Sequence, residues 1–136
     1  MLIVVDANVL CSGLLARGKT IDLLFSDRIE PIAPELLFTE FEAHKDELIV
    51  KSKLSADDFN ALFALLKKKI RIVPLEEFKD KLADANKLLA SHTKDTEYVA
   101  LAMAFKCPLW SKEKLLKGLG AIEVLDASDV AERISL

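Results

Sequence analysis

Four acids in this sequence, Asp6, Glu40, Asp95 and Glu113, stand where carboxylates could do chemistry together. Asp6 follows the apolar run Leu2-Ile3-Val4-Val5 directly, and Glu113 follows Leu109-Trp110 after only Ser111 and Lys112. Asp95 opens the most apolar helical stretch of the chain, and Glu40 lies between Phe38 and Phe41 at the edge of an apolar stripe. Each also has an ordinary explanation: Asp6 and Asp95 as helix caps, Glu113 as a first-turn acid, Glu40 as a solvated neighbour of Glu35 and Glu42. Carboxylates crowded within a few ångström repel one another and raise each other's pKa, so such a cluster is costly without a cation. Mg²⁺ or Mn²⁺ removes the conflict, because both prefer hard oxygen ligands. Water activated at such an ion can attack a phosphodiester while the ion neutralises charge developing on the phosphate.

The elements that must carry these acids alternate along the chain. Leu2–Val5 is too short for a helix and rich in β-branched residues, which predicts a strand buried on both faces. Ala7 to about Phe25 predicts two short helices broken around Gly13 to Gly18. Pro31-Ile32-Ala33 reads as a second strand, and Pro34 as the first turn of a helix carrying Leu37, Phe38 and Phe41. Ser55 followed by Ala56-Asp57-Asp58 predicts a capped helix, closed by Lys67, Lys68 and Lys69. Ile70 to Pro74 then reads as a strand and Glu76 to Leu89 as an amphipathic helix. A helix over Asp95–Phe105, a strand at Pro108–Trp110, a brief helix capped by Ser111, a strand at Ile122–Leu125 and a helix from Asp126 complete the pattern. Such alternation predicts a three-layer α/β/α fold with a parallel sheet of four or five strands and Leu2–Val5 at its centre. In open sheets of this kind, ligands bind beyond the carboxyl ends of the strands, where Asp6 and Glu113 fall.

Size and composition set the remaining bounds. At 136 residues without an internal Gly/Ser/Pro-rich stretch, the chain reads as one domain over 1–136, able to fold on its own core. Cys11 and Cys107 lack metal-ligand spacing and adjoin apolar runs, so both are expected to be reduced and structural. Neither a signal peptide nor a membrane span is visible, which gives a cytoplasmic expectation. The formal charge of −3 is unusual for a protein that grips phosphates, although Lys112, Lys114 and Lys117, and again Lys67 to Lys69 with Arg71, are locally basic. His44 and His92 have no partner at helical spacing and read as structural. Trp110 and the phenylalanines lie within apolar runs and read as core.

Four segments then resemble the PIN-domain family. Ile3-Val4-Val5-Asp6-Ala7-Asn8 resembles its first motif, a strand running into Asp with Asn, Thr or Ser two positions on. Leu37-Phe38-Thr39-Glu40-Phe41 resembles the second, although Glu42 competes with Glu40. Asp95-Thr96-Glu97-Tyr98-Val99-Ala100-Leu101-Ala102 resembles the third. Pro108-Leu109-Trp110-Ser111-Lys112-Glu113 resembles the fourth, which usually carries Asp where this chain has Glu113. The resemblance implies a Rossmann-like sheet and an endoribonuclease dependent on Mg²⁺ or Mn²⁺, often acting as the VapC-like toxin of a toxin–antitoxin pair. It implies Asp6 and Asp95 as principal ligands, with Glu40 and Glu113 acting directly or through water. Asn8 and Ser111 would steady a carboxylate or a water, and Lys112 and Lys114 would meet RNA. The partners that follow are single-stranded or structured RNA, an antitoxin protein and a second copy of the chain in a homodimer, with no membrane.

Two other readings compete. The haloacid-dehalogenase-like phosphatases also begin with a strand and Asp-x-Asp, but Asn8 replaces the second acid, and no later paired-Asp motif follows. A non-catalytic PIN-like module that binds RNA or protein is the stronger alternative, favoured by Glu113 and by the negative net charge.

Overall fold

Leu2–Val5 forms β1, the middle strand of a five-stranded parallel sheet with the order β3-β2-β1-β4-β5. The computed structural model describes residues 1–90 and 92–135. Ile3, Val4 and Val5 have no solvent exposure, as a strand covered on both faces requires. β1 pairs with β2 (Glu30–Pro34) on one side and β4 (Leu109–Trp110) on the other. β3 (Arg71–Val73) and β5 (Val124–Leu125) form the edges.

Helices cover both faces. α1 (Ala7–Ala16) packs on α2 (Lys19–Leu24), α3 (Leu36–Ala43), α4 (Lys45–Ser52) and α5 (Ala56–Lys69), and α2 meets α9 (Ala127–Ile134). In the opposite layer α7 (Thr96–Phe105) lies across β1 and β2, with α6 (Leu82–Leu89) against it. The short α8 (Lys114–Lys117) leads into β5. Tyr98 to Ala102 are all buried, which explains the continuous apolar run of α7. Between α1 and α2 the chain turns through Arg17 at φ 50, and a Cβ on Gly13 would stand 3.3 Å from Ile21 Cδ1, so the small residue lets the two helices close together.

Capping follows the sequence in places. Ser55 accepts from the Asp58 amide at 3.1 Å, and Asp126 with Asp129 forms a reciprocal capping box. Cys11 and Cys107 are half-buried free thiols, and burial pushes the Cys107 thiol up to about 11, which keeps it protonated. Among the described residues no helix is long and apolar enough to cross a membrane.

Three local expectations are corrected. Pro34 ends β2 and does not open α3. It lies beyond the last residue paired with β1, while Pro31 precedes the pairing with β3, so each proline sits where a missing N–H is tolerated. The segment expected as one helix from Glu76 to Leu89 starts instead as two 3-10 turns, Leu75–Glu77 and Lys79–Lys81. Between them Phe78 adopts φ −137 and is almost fully buried, so core burial overrides helix propensity. Ser111 does not cap α8, whose N-cap position is held by Glu113.

Candidate metal and phosphodiester site

The chain leaves β1 toward β2 and β3, then crosses to β4 on the other side, so the strand order reverses between β1 and β4. A crevice opens at the carboxyl ends of strands at such a point. The ladder runs on past both strands: the Asp6 amide donates to Trp110 O at 3.3 Å, and the Ser111 amide to Leu125 O at 3.0 Å. Asp6 and Ser111 are thereby fixed side by side, both buried.

Asp6 divides its two oxygens between two tasks. Oδ1 accepts from the Val9 amide at 3.0 Å and caps α1. Oδ2 is buried and has no hydrogen-bond partner among the described residues. The Ser111 hydroxyl faces the carboxylate and opposes the rise in its pKa but falls short of a hydrogen bond to Oδ2; it accepts instead from the Glu113 amide at 3.1 Å. Burial raises the Asp6 pKa, and the negative charges of Asp95 and Glu113 add to the rise.

Asp95 occupies the N-cap position of α7 without making a capping hydrogen bond, so capping does not explain it. Its pKa is also raised, first by burial and then by Glu113 and Glu40, against the pull of Lys94 and His92. Glu40 on α3 accepts a 2.7 Å hydrogen bond from the Tyr98 hydroxyl. Glu40 lines the crevice, whereas Glu42 is exposed and lies outside its lining.

Asp6, Asn8, Glu40, Asp95, Tyr98 and Lys94 line one crevice of about 80 Å³. Glu113 stands at its rim, half-exposed, with Oε1 3.8 Å from Lys94 Nζ. Asn8 is exposed and borders the crevice without a hydrogen bond to any carboxylate. Lys112 donates to Ser12 Oγ at 3.1 Å and Lys114 is exposed on α8, both outside this lining. Among the described residues no group of three His, Cys, Asp or Glu side chains stands close enough together to hold a metal ion. A larger hollow of about 360 Å³ lies at the opposite end of β4 and β5, but the carboxylate that lines it among the described residues, Glu123, is already paired with Arg133.

The donor set suits a hard divalent cation. It consists of carboxylate oxygens, one of them buried and unpartnered, with hydroxyl and amide groups beside them. Two residues escaped the sequence reading: Tyr98, which holds Glu40, and Lys94, which places a cation in the acidic crevice. A tyrosine within an otherwise aliphatic, alanine-rich helix was the available signal, because a buried phenol needs a polar partner.

The chain resembles known proteins in fold and in family. It superposes on a chain of VapBC2 from Rickettsia felis, solved bound to a DNA fragment from their promoter, with TM-score 0.71 and 10% identity over 93% of this chain and 98% of that one. It superposes on a chain of VapBC-1 from nontypeable Haemophilus influenzae with TM-score 0.68 and 12% identity over 94% and 99%. No curated protein matches it by sequence. The sequence matches the PIN domain over residues 4–132, from inside β1 into α9, and the chain therefore belongs to the PIN-domain family.

Proposed function

We propose that this chain is a metal-dependent endoribonuclease that hydrolyses RNA phosphodiester bonds at the crevice between β1 and β4. The observation that carries the reading is Asp6 Oδ2, a buried carboxylate oxygen without a partner among the described residues, in an acidic crevice that Asp95 and Glu40 also line. An unsatisfied buried charge is expensive to keep, and coordination of a cation relieves it.

Asp6 and Asp95 would hold Mg²⁺ or Mn²⁺, and Glu40 and Glu113 would assist directly or through water. The bound cation supplies an activated water and neutralises charge on the phosphate. Tyr98 fixes the orientation of Glu40, and Ser111 anchors the backbone at Glu113. Single-stranded RNA is the expected substrate, because no duplex must be opened for the backbone to enter. Likeness to chains of two VapBC assemblies supports an antitoxin protein as partner, with this chain as the toxin.

The test is cleavage of a labelled single-stranded RNA with Mg²⁺ or Mn²⁺, abolished by EDTA and by Asp6→Asn. The PIN-like binding module remains the second reading, favoured by the turning of Glu113 toward Lys94. RNA that is bound but left intact with both metals would establish that reading instead.

A further inference from the structure

An RNA backbone entering this crevice brings negative charge toward carboxylates of the same sign, so a cation at the entrance governs whether the phosphates can approach. Lys94 is the one cationic side chain, among the described residues, that lines the crevice. Its pair with Glu113 is 3.8 Å long, with the two side chains 69% and 37% exposed. A pair so long and so wet is held weakly and exchanges readily for another anion.

Lys94 also lines an adjoining hollow of about 450 Å³ beside Leu75, Asn86, Thr93 and Glu97. Such a volume lies within the range of small-molecule sites and admits one nucleotide. Among the described residues Lys94 alone lines both that hollow and the crevice, so a strand occupying the two lies beside it. Three other lysines are engaged elsewhere: Lys117 between Asp126 and Asp129, Lys69 on the Ser26 carbonyl, and Lys67 over the rings of Phe38 and Phe63.

We infer that Lys94 grips an RNA phosphate at the entrance to the crevice, leaving Glu113 when RNA binds. Lysine suits this task as a flexible point charge. The inference rests on the ribonuclease reading.

Binding of a labelled single-stranded RNA by fluorescence anisotropy, at about 50 to 200 mM salt, tests it. Ca²⁺ replaces Mg²⁺, since its looser oxygen coordination separates binding from cutting. With Lys94→Met the RNA affinity falls, and the slope of log K against log salt shrinks in magnitude by about 0.7, the share of one single-strand phosphate contact. Lys94→Arg keeps the slope, and Lys68→Met, in the basic run that closes α5, leaves it unchanged. Mn²⁺ affinity by calorimetry is undiminished in Lys94→Met, because removing a cation from the crevice cannot weaken cation binding by charge. A wild-type slope in Lys94→Met, or a joint loss of RNA and Mn²⁺ affinity, overturns the grip alone. Failure of the wild-type chain to bind RNA overturns the ribonuclease reading and the grip together.

Discussion

The Tyr98 hydroxyl donates a 2.7 Å hydrogen bond to Glu40 Oε1, joining α7 to α3 across 58 positions of sequence. Burial, and then the hydrogen bond to Glu40, push this phenol far above its usual pKa, so it remains a donor at every working pH. Tyr98→Phe should cost about 1 kcal/mol of stability. RNA cleavage should fall roughly 10- to 100-fold, the range seen when a supporting partner of a metal ligand is lost. Thermal denaturation and initial cleavage rates read the two effects separately.

Asp6 and Asp95 couple the site to stability through pH. Both have pKa values raised above the ordinary 3.8, chiefly by burial, so the folded state resists their ionisation. Their stabilising effect is complete below that value and is lost as pH rises through the raised folded values. Asp6→Asn or Asp95→Asn should therefore stabilise the metal-free protein at pH 7 and give no gain near pH 3, measured by urea denaturation. The cap on α1 survives Asp6→Asn, since an amide oxygen still accepts from the Val9 amide.

Metal binding should reverse that ranking. Mn²⁺ at about a hundred times its Kd adds about 2.7 kcal/mol to the stability of the wild-type chain. For a chain of this size the thermal midpoint should rise by roughly 5 to 10 °C. Asp6→Asn and Asp95→Asn should show no rise, and a scan with and without EDTA decides.

Glu113 should behave as a lesser member of the set, since it stands at the rim and is shared with Lys94. Glu113→Gln should reduce Mn²⁺ affinity less than Asp95→Asn does in calorimetric titration. Glu113→Asp, which withdraws the carboxylate by roughly 1.5 Å, one carbon–carbon bond, should loosen the Lys94 pair and leave the fold intact.

Ser55→Ala serves as a control away from the crevice. Loss of the bond to the Asp58 amide should cost about 1 kcal/mol while cleavage is unchanged.

Much of this arrangement was legible before any coordinates. The β-branched run at Leu2–Val5 and the alternation of elements gave a central parallel strand, and acids placed after strands marked the crevice. The Phe78 break in the Glu76–Leu89 segment was not legible, because periodicity does not reveal when one buried ring outweighs a helix's local preference. Nor could spacing separate Glu40 from Glu42, which differ only in the helix face they occupy. The Lys94–Glu113 and Tyr98–Glu40 contacts depend on crossovers that bring distant segments together, and no local pattern encodes them.

The position of β4 beside β1 also bears on the order of folding. Only α1 and α2 separate β1 from its neighbour β2, whereas the partner of Val5 on the other side, Trp110, lies near the far end of the chain. Closing that long loop is slow and contributes nothing until β4 inserts. A chain made only as far as β3 has β1, β2 and α1 to α5 but not α7, which lies across β1 and β2, and it lacks Asp95, Ser111 and Glu113. The crevice can be complete only once the chain has been made through Glu113, and a chain that stops at β3 carries Asp6 and Glu40 without the partners they face.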